Sequence, residues 1–173
     1  YEEVERLTRN FAAYLQQHCG LVKGDRLAIM MPNVLQYPVV LFAAFRAGLI
    51  VVNCNPLYTP RALEHQLKDS GAKAIVVLEN FARTVQDVVN ETAVKTIVTT
   101  QLGDLFPPIK GLLTNLVIKY KKKMVPSWQI EGAVSIKAAL ANGAKQILDP
   151  VPLTQDDIAF LQYTGGTTGV PKG

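Results

Sequence analysis

Tyr163-Thr-Gly-Gly-Thr-Thr-Gly-Val-Pro-Lys-Gly173 carries the residue types needed to grip a polyphosphate. Gly165, Gly166 and Gly169 open backbone conformations closed to other residues and let N–H groups approach a ligand. Thr164, Thr167 and Thr168 add hydroxyls that can donate to phosphate oxygens or ligate a hydrated cation. Lys172 adds a positive charge suited to phosphate. Two better-known phosphate loops do not fit. In the Walker A pattern the lysine follows glycine and precedes serine or threonine, whereas Lys172 stands between Pro171 and Gly173. A dinucleotide fingerprint belongs after the first strand of its unit and opens a helix. A plain Gly/Thr surface loop is the bland alternative, but the ordered series is too particular for a linker.

The elements ahead of the loop must position it. Apolar residues at Val4, Leu7, Phe11, Tyr14 and Leu15 have helical spacing, with Gly20 as a stop. Leu27–Met31 reads as a buried strand ended by Pro32-Asn33, and Leu35–Ala47 as a helix stopped by Gly48. Leu49–Val52 is a second strand. Thr59-Pro60 supplies an N-cap and first-turn proline for a helix over Arg61–Asp69, ended by Ser70-Gly71. Ala74–Leu78 is a third strand, Phe81–Asn90 a helix and Thr96–Thr100 a fourth strand. The alternation predicts an α/β fold with a mostly parallel β-sheet flanked by helices. Ligands of such sheets sit at the carboxyl ends of the strands.

The alternation breaks between Gln101 and Pro152. We therefore divide the chain into a βαβ-type region (1–100), an insertion with a basic amphipathic segment (101–152), and a strand with the phosphate-binding loop (153–173). Ser135 is expected to cap a short helix through Leu140, stopped by Asn142-Gly143, and Ile158–Tyr163 to form the strand entering the loop. On a helix, Ile109, Leu112, Leu113, Leu116, Val117, Tyr120 and Met124 share one face. Lys110, Lys119 and Lys121 flank that face, Lys122 lies opposite, and Trp128 follows. This suits an interfacial membrane helix, and equally a helix packed on its own domain.

Composition sets wider bounds. The 173 residues are 49% hydrophobic and 18% charged, as in a folded globular chain, with net charge +4. The mildly basic balance allows anionic partners, but no nucleic-acid module is recognisable. Cys19 and Cys54 lack metal-ligand spacing and are expected to be free thiols of a reducing cytosol. No apolar run approaches the roughly 20 residues that span a bilayer, and no signal peptide opens the chain. Tyr1 reads as the interior of a helix and Gly173 as a motif that feeds a further element, so the chain is expected to be a fragment. His18 and His65 have no nucleophile or metal partner and are expected to be structural. For Asn53-Cys-Asn-Pro backbone turn chemistry is favoured, and Tyr58 is expected to pack.

The loop resembles the phosphate-binding signature of the adenylate-forming (AMP-binding) superfamily. Its Thr-Gly-Gly-Thr-Thr-Gly form is similar to that of bacterial long-chain fatty-acid–CoA ligases. The likeness extends to Phe11-Ala-Ala-Tyr-Leu-Gln-Gln, Met31-Pro-Asn-Val-Leu-Gln-Tyr-Pro, Arg46-Ala-Gly, Asn53-Cys-Asn-Pro-Leu-Tyr-Thr-Pro-Arg and Glu64-His-Gln-Leu-Lys-Asp-Ser-Gly-Ala. The resemblance implies an incomplete N-terminal domain of an enzyme that joins a long-chain fatty acid to ATP as acyl-adenylate, then passes the acyl group to CoA. It implies that Tyr163, Thr164, Gly165, Gly166, Thr167, Thr168, Gly169, Val170, Pro171, Lys172 and Gly173 meet the ATP phosphates, and that Thr164 meets Mg²⁺. No residue here is assigned a catalytic role, and the chain alone is expected to be inactive. A ligase for another carboxylate and a non-catalytic membrane-docking module are the alternatives. The resemblance tilts Ile109–Trp128 toward the membrane, with a cytoplasmic location, peripheral attachment at the inner membrane and a homodimer as further expectations.

Overall fold

Alternating apolar residues along each strand feed two cores, one on each face of the sheet. In the computed structural model, which describes residues 1–164, Leu27 and Ile29 of β1 (Arg26–Met30) join one core, and Ala28 and Met30 join the other. Ala74, Val76 and Leu78 of β3 (Ala74–Leu78) likewise oppose Ile75 and Val77. Both faces are buried, so these strands are continuous apolar runs. With β2 (Ile50–Asn53), β4 (Thr96–Thr100), β5 (Val134–Ser135) and β6 (Phe160–Leu161) they form a six-stranded sheet in the order β5-β4-β3-β1-β2-β6. Among the described residues each strand pairing is parallel.

The strand order sorts the helices. The connections β1→β2 and β5→β6 travel toward the β6 edge, and their helices α2 (Gln36–Arg46) and α6 (Ile136–Gly143) lie on the same face. The connections β2→β3 and β3→β4 run the other way, and α3 (Pro60–Ser70) and α4 (Ala82–Gln86) cover the opposite face. One crossover hand, applied in two directions, produces both layers. α1 (Glu2–Gln17) packs between α2 and α6.

Local chemistry sets several boundaries. Thr59 Oγ1 accepts from the Ala62 amide at 3.3 Å, Pro60 opens α3, and Gly71 ends it in the left-handed region at φ 61°. Other expectations need correction. Phe81–Asn90 is not one helix: a 3₁₀ turn at Glu79–Phe81, the short α4 and a second turn at Val89–Glu91 replace it. Val88 leaves helical geometry at φ −128°, and Val85, Val88 and Val89 instead bury against the sheet. β5 joins the sheet inside residues 101–152, and the helix capped by Ser135 runs on to Gly143. β6 pairs over only two residues, because short β2 offers it Val51 and Val52.

The amphipathic segment forms α5 (Pro108–Leu116), followed by a π-helical turn at Val117–Lys121. Its inner side is Gly111 and Asn115. A Cβ on Gly111 would meet the Gly103 carbonyl at 2.4 Å, and Asn115 Oδ1 accepts from the Gly103 amide at 2.8 Å. Asn115 Nδ2 donates to Gln101 Oε1 at 2.8 Å, and Gln101 Nε2 donates to buried Glu79 at 2.9 Å. The apolar stripe therefore faces outward: Ile109 is 78%, Leu112 61% and Tyr120 67% exposed. Trp128 departs from that stripe and packs, half-buried, against the core beneath α3 and α4.

Candidate functional site

β6 lies beside β2 with Val52 opposite Leu161, so Gln162, Tyr163 and Thr164 leave the carboxyl edge of the sheet next to Asn53 and Cys54. This is the edge at which open α/β sheets hold ligands. Thr164 is exposed there, and its hydroxyl is a group that can donate to an oxyanion. The remaining loop residues named above, 165–173, lie outside the described residues.

The two residues ahead of Thr164 are fixed on opposite sides, as strand alternation requires. Gln162 faces Asn53, whose Nδ2 donates to Gln162 Oε1 at 3.3 Å. Asn53 is held in turn by Tyr37, whose hydroxyl donates to Asn53 Oδ1 at 3.0 Å, and by Gln66, whose Nε2 donates to the Asn53 carbonyl at 2.9 Å. Tyr163 points the other way. Its ring is buried in the core of Leu63, Leu67 and Cys54, and its hydroxyl donates to Asp69 Oδ2 at 2.5 Å. Burial first, and the Asp69 carboxylate second, push this phenol well above its ordinary range, so it stays a proton donor.

Asp69 is the residue that sequence reasoning missed. Its signal was there: an acid in the last turn of α3 opposes the helix dipole and so needs another reason to be there. The turn reading of Asn53-Cys-Asn-Pro fits Asn55, whose Oδ1 accepts from the Leu57 amide at 2.9 Å, but Asn53 links three elements. Burial pushes the Cys54 thiol up to about 12, which makes it an inert core group, and neither cysteine is in a disulfide. Tyr58 packs against the second core, and His18 stacks on Tyr14 with ring centroids 4.9 Å apart.

What the described residues offer at this edge is the exposed Thr164, at the end of the Gln162 and Tyr163 anchors. Among the described residues no three His, Cys, Asp or Glu side chains gather where they could hold a metal ion, and Thr164 offers a single oxygen. A recess of about 540 Å³ lined by Lys23, Gly48, Asp157 and Ile158 lies at the opposite, amino-terminal edge. Among the described residues no helix is long and apolar enough to cross a membrane.

The chain is 56% identical to the long-chain-fatty-acid–CoA ligase of Escherichia coli O157:H7 over all 173 residues, which cover 31% of that protein. It is 37% identical to the Bacillus subtilis long-chain-fatty-acid–CoA ligase, with 94% of this chain matched to 29% of that one. The fold matches a long-chain-fatty-acid-CoA ligase from Archaeoglobus fulgidus at TM-score 0.71 and 24% identity, over 99% of this chain and 28% of that structure. It matches the adenylation domain of a Mycobacterium chelonae carboxylate reductase at TM-score 0.77 and 18% identity, over 100% and 26%. The chain thus spans about a third of the length of these relatives. The profile of the AMP-binding enzyme family matches residues 1–173 from end to end, and the chain belongs to that family.

Proposed function

We propose that the full-length protein carrying this chain is an acid–thiol ligase that activates long-chain fatty acids with ATP and transfers them to CoA. The observation that carries this reading is 53–56% identity, across the whole chain and through the loop, to bacterial proteins named for that activity. The chain's own contribution is to the first half-reaction. A carboxylate must reach the α-phosphorus while pyrophosphate leaves, and both carry negative charge. The Thr164 hydroxyl, the loop amides and Lys172 orient the phosphates and offset the charge that gathers on the leaving group. Mg²⁺, when bound with ATP, neutralises phosphate charge at this edge, with Thr164 as the candidate ligand from this chain.

The exposed stripe of α5 supports a second element of the reading. Its apolar face carries Lys119 and Lys121 beside it, with Lys122 and Lys123 following, all exposed. Apolar contact with cationic flanks complements an anionic lipid surface, so the protein would work in the cytoplasm and rest on the bilayer that holds its substrate. ATP-dependent thioester formation, measured on the full-length protein with acids from two to eighteen carbons, tests the assignment (lengths chosen to span about the range a lipid tail occupies). Turnover should rise with chain length. Preference for a short or aromatic acid would move the substrate class, and no turnover with any acid would overturn the ligase reading.

A further inference from the structure

We infer that Tyr163 and Asp69 form a positioning pair that sets where Thr164 and the phosphate loop leave the sheet; the inference rests on the loop reading above. Tyr163 is the last buried side chain before the loop and is only 7% exposed. Its ring is gripped by the core under α3, so the backbone at 163 cannot turn about its own axis without emptying that pocket. The hydroxyl reaches past the core to the rim, where Asp69 of α3 accepts at 2.5 Å. Asp69 makes no ion pair among the described residues, and its carboxylate has no other recorded side-chain donor there. A short bond from a phenol to a carboxylate is charge-assisted and directional. It fixes the ring's depth as well as its plane, which apolar packing alone leaves free to slide.

The neighbouring tie sharpens the point. Gln162 is held by Asn53 from β2, and Tyr163 by Asp69 from α3. Both anchors belong to one β2–α3 unit, itself locked by the bond from Gln66 to the Asn53 carbonyl. Two consecutive residues are thus referenced to one rigid body on opposite faces of the strand. Thr164 follows directly and inherits its position from them. Tyr163 touches no phosphate in this scheme; it acts through the placement of Thr164.

The test uses the full-length protein and measures acyl-adenylate formation by pyrophosphate release, with KM for ATP and for fatty acid determined separately. Tyr163→Phe should raise the ATP KM about tenfold, the effect of losing one charge-assisted hydrogen bond. The fatty-acid KM should stay unchanged. Asp69→Ala should act alike, and the double variant should be no worse than either single one. Asp69→Asn, which retains an acceptor oxygen but not the charge, should recover part of the loss. A merely structural role would lower the melting temperature without separating the two KM values. An unchanged ATP KM in Tyr163→Phe, or additive effects in the double variant, overturns the pair while leaving the ligase reading intact. Absence of acyl-adenylate from the unsubstituted protein overturns both.

Discussion

Gly143 of α6 and Asn10 of α1 meet so closely that a Cβ on Gly143 would stand 1.8 Å from the Asn10 carbonyl oxygen. The contact lets α6 lie against α1 and close the helical layer over that face of the sheet. Gly143→Ala should destabilise the protein by about 2 kcal/mol or more, because the backbone must part and alanine's helical advantage of ~1 kcal/mol cannot offset it. The urea midpoint reads this; an unchanged or higher midpoint would show that the helices separate freely.

Arg26 holds the end of α3. Its Nε donates to the Ser70 carbonyl at 2.8 Å, its Nη2 to Gly71 at 3.1 Å and its Nη1 to Gly24 at 3.3 Å. Arg26→Ala should cost about 2 kcal/mol, and Arg26→Lys should recover less than half, since an ammonium cannot reproduce the planar fork. Full recovery by lysine in the same denaturation series would mean that charge alone matters.

Thr164→Ala in the full-length protein should slow acyl-adenylate formation by about 10- to 100-fold, the range for losing a hydrogen bond to a charged group. Its melting temperature should hold, because the side chain is exposed. Normal pyrophosphate release in this variant would remove the hydroxyl from the site.

Replacing Lys119, Lys121, Lys122 and Lys123 together with glutamine should weaken binding to anionic vesicles, with little loss on short, soluble acids. Each lysine at such a surface contributes about 1 kcal/mol, so the loss spans several decades at low salt. It should shrink as added salt screens the attraction. Vesicle co-sedimentation that is unchanged at low salt would reduce the lysines to a solvated surface.

Asp157 ties the segment ahead of β6 to the rest of the domain. Its carboxylate accepts from Lys23 Nζ at 2.8 Å and from the Thr154 amide at 2.6 Å. The Lys23 hydrogen bond, then the Thr154 amide, hold this carboxyl below its ordinary value of about 3.9. A depressed folded pKa means that the tie is fully present above that ordinary value and is lost as pH falls through the lower, folded one. Hydrogen exchange of the Thr154 amide should therefore quicken, relative to its intrinsic rate, only below about pH 4. In Asp157→Asn that acid step should vanish.

Much of the fold was legible because the deciding chemistry was local. Thr59, Pro60 and Gly71 bound α3 through contacts within a few residues, and β3 is an apolar run of the kind that a strand covered on both faces carries. The helix expected over Phe81–Asn90 failed because its valines gain more from the sheet than from continuous helical bonding. β5 is two residues long, too short to show any period. The outward direction of the α5 stripe follows from Gly103, Gly111 and Asn115, whereas the stripe itself is common to packed and lipid-facing helices. The exit of Tyr163 and Thr164 at the carboxyl edge was readable from the alternation. The anchoring of Tyr163 was not, since Tyr163 and Asp69 stand 94 positions apart.

The pairing of β6 with β2 has a consequence in time. Asn53 and Gln162, joined across that seam, are separated by 109 positions, whereas β1, β2, β3 and β4 all lie within the first hundred residues. Contacts this distant form slowly, because a long loop must close before they reward it. We expect β1–β4 to assemble early, during synthesis or refolding, with β6 docking last on a nearly finished surface. Pulse-labelled amide exchange should then protect Val76 and Val98 before Leu161. The edge from which Thr164 leaves the sheet is in that order the final one to be assembled, so under the proposed function an unfinished chain would offer nucleotide no grip until its scaffold is in place.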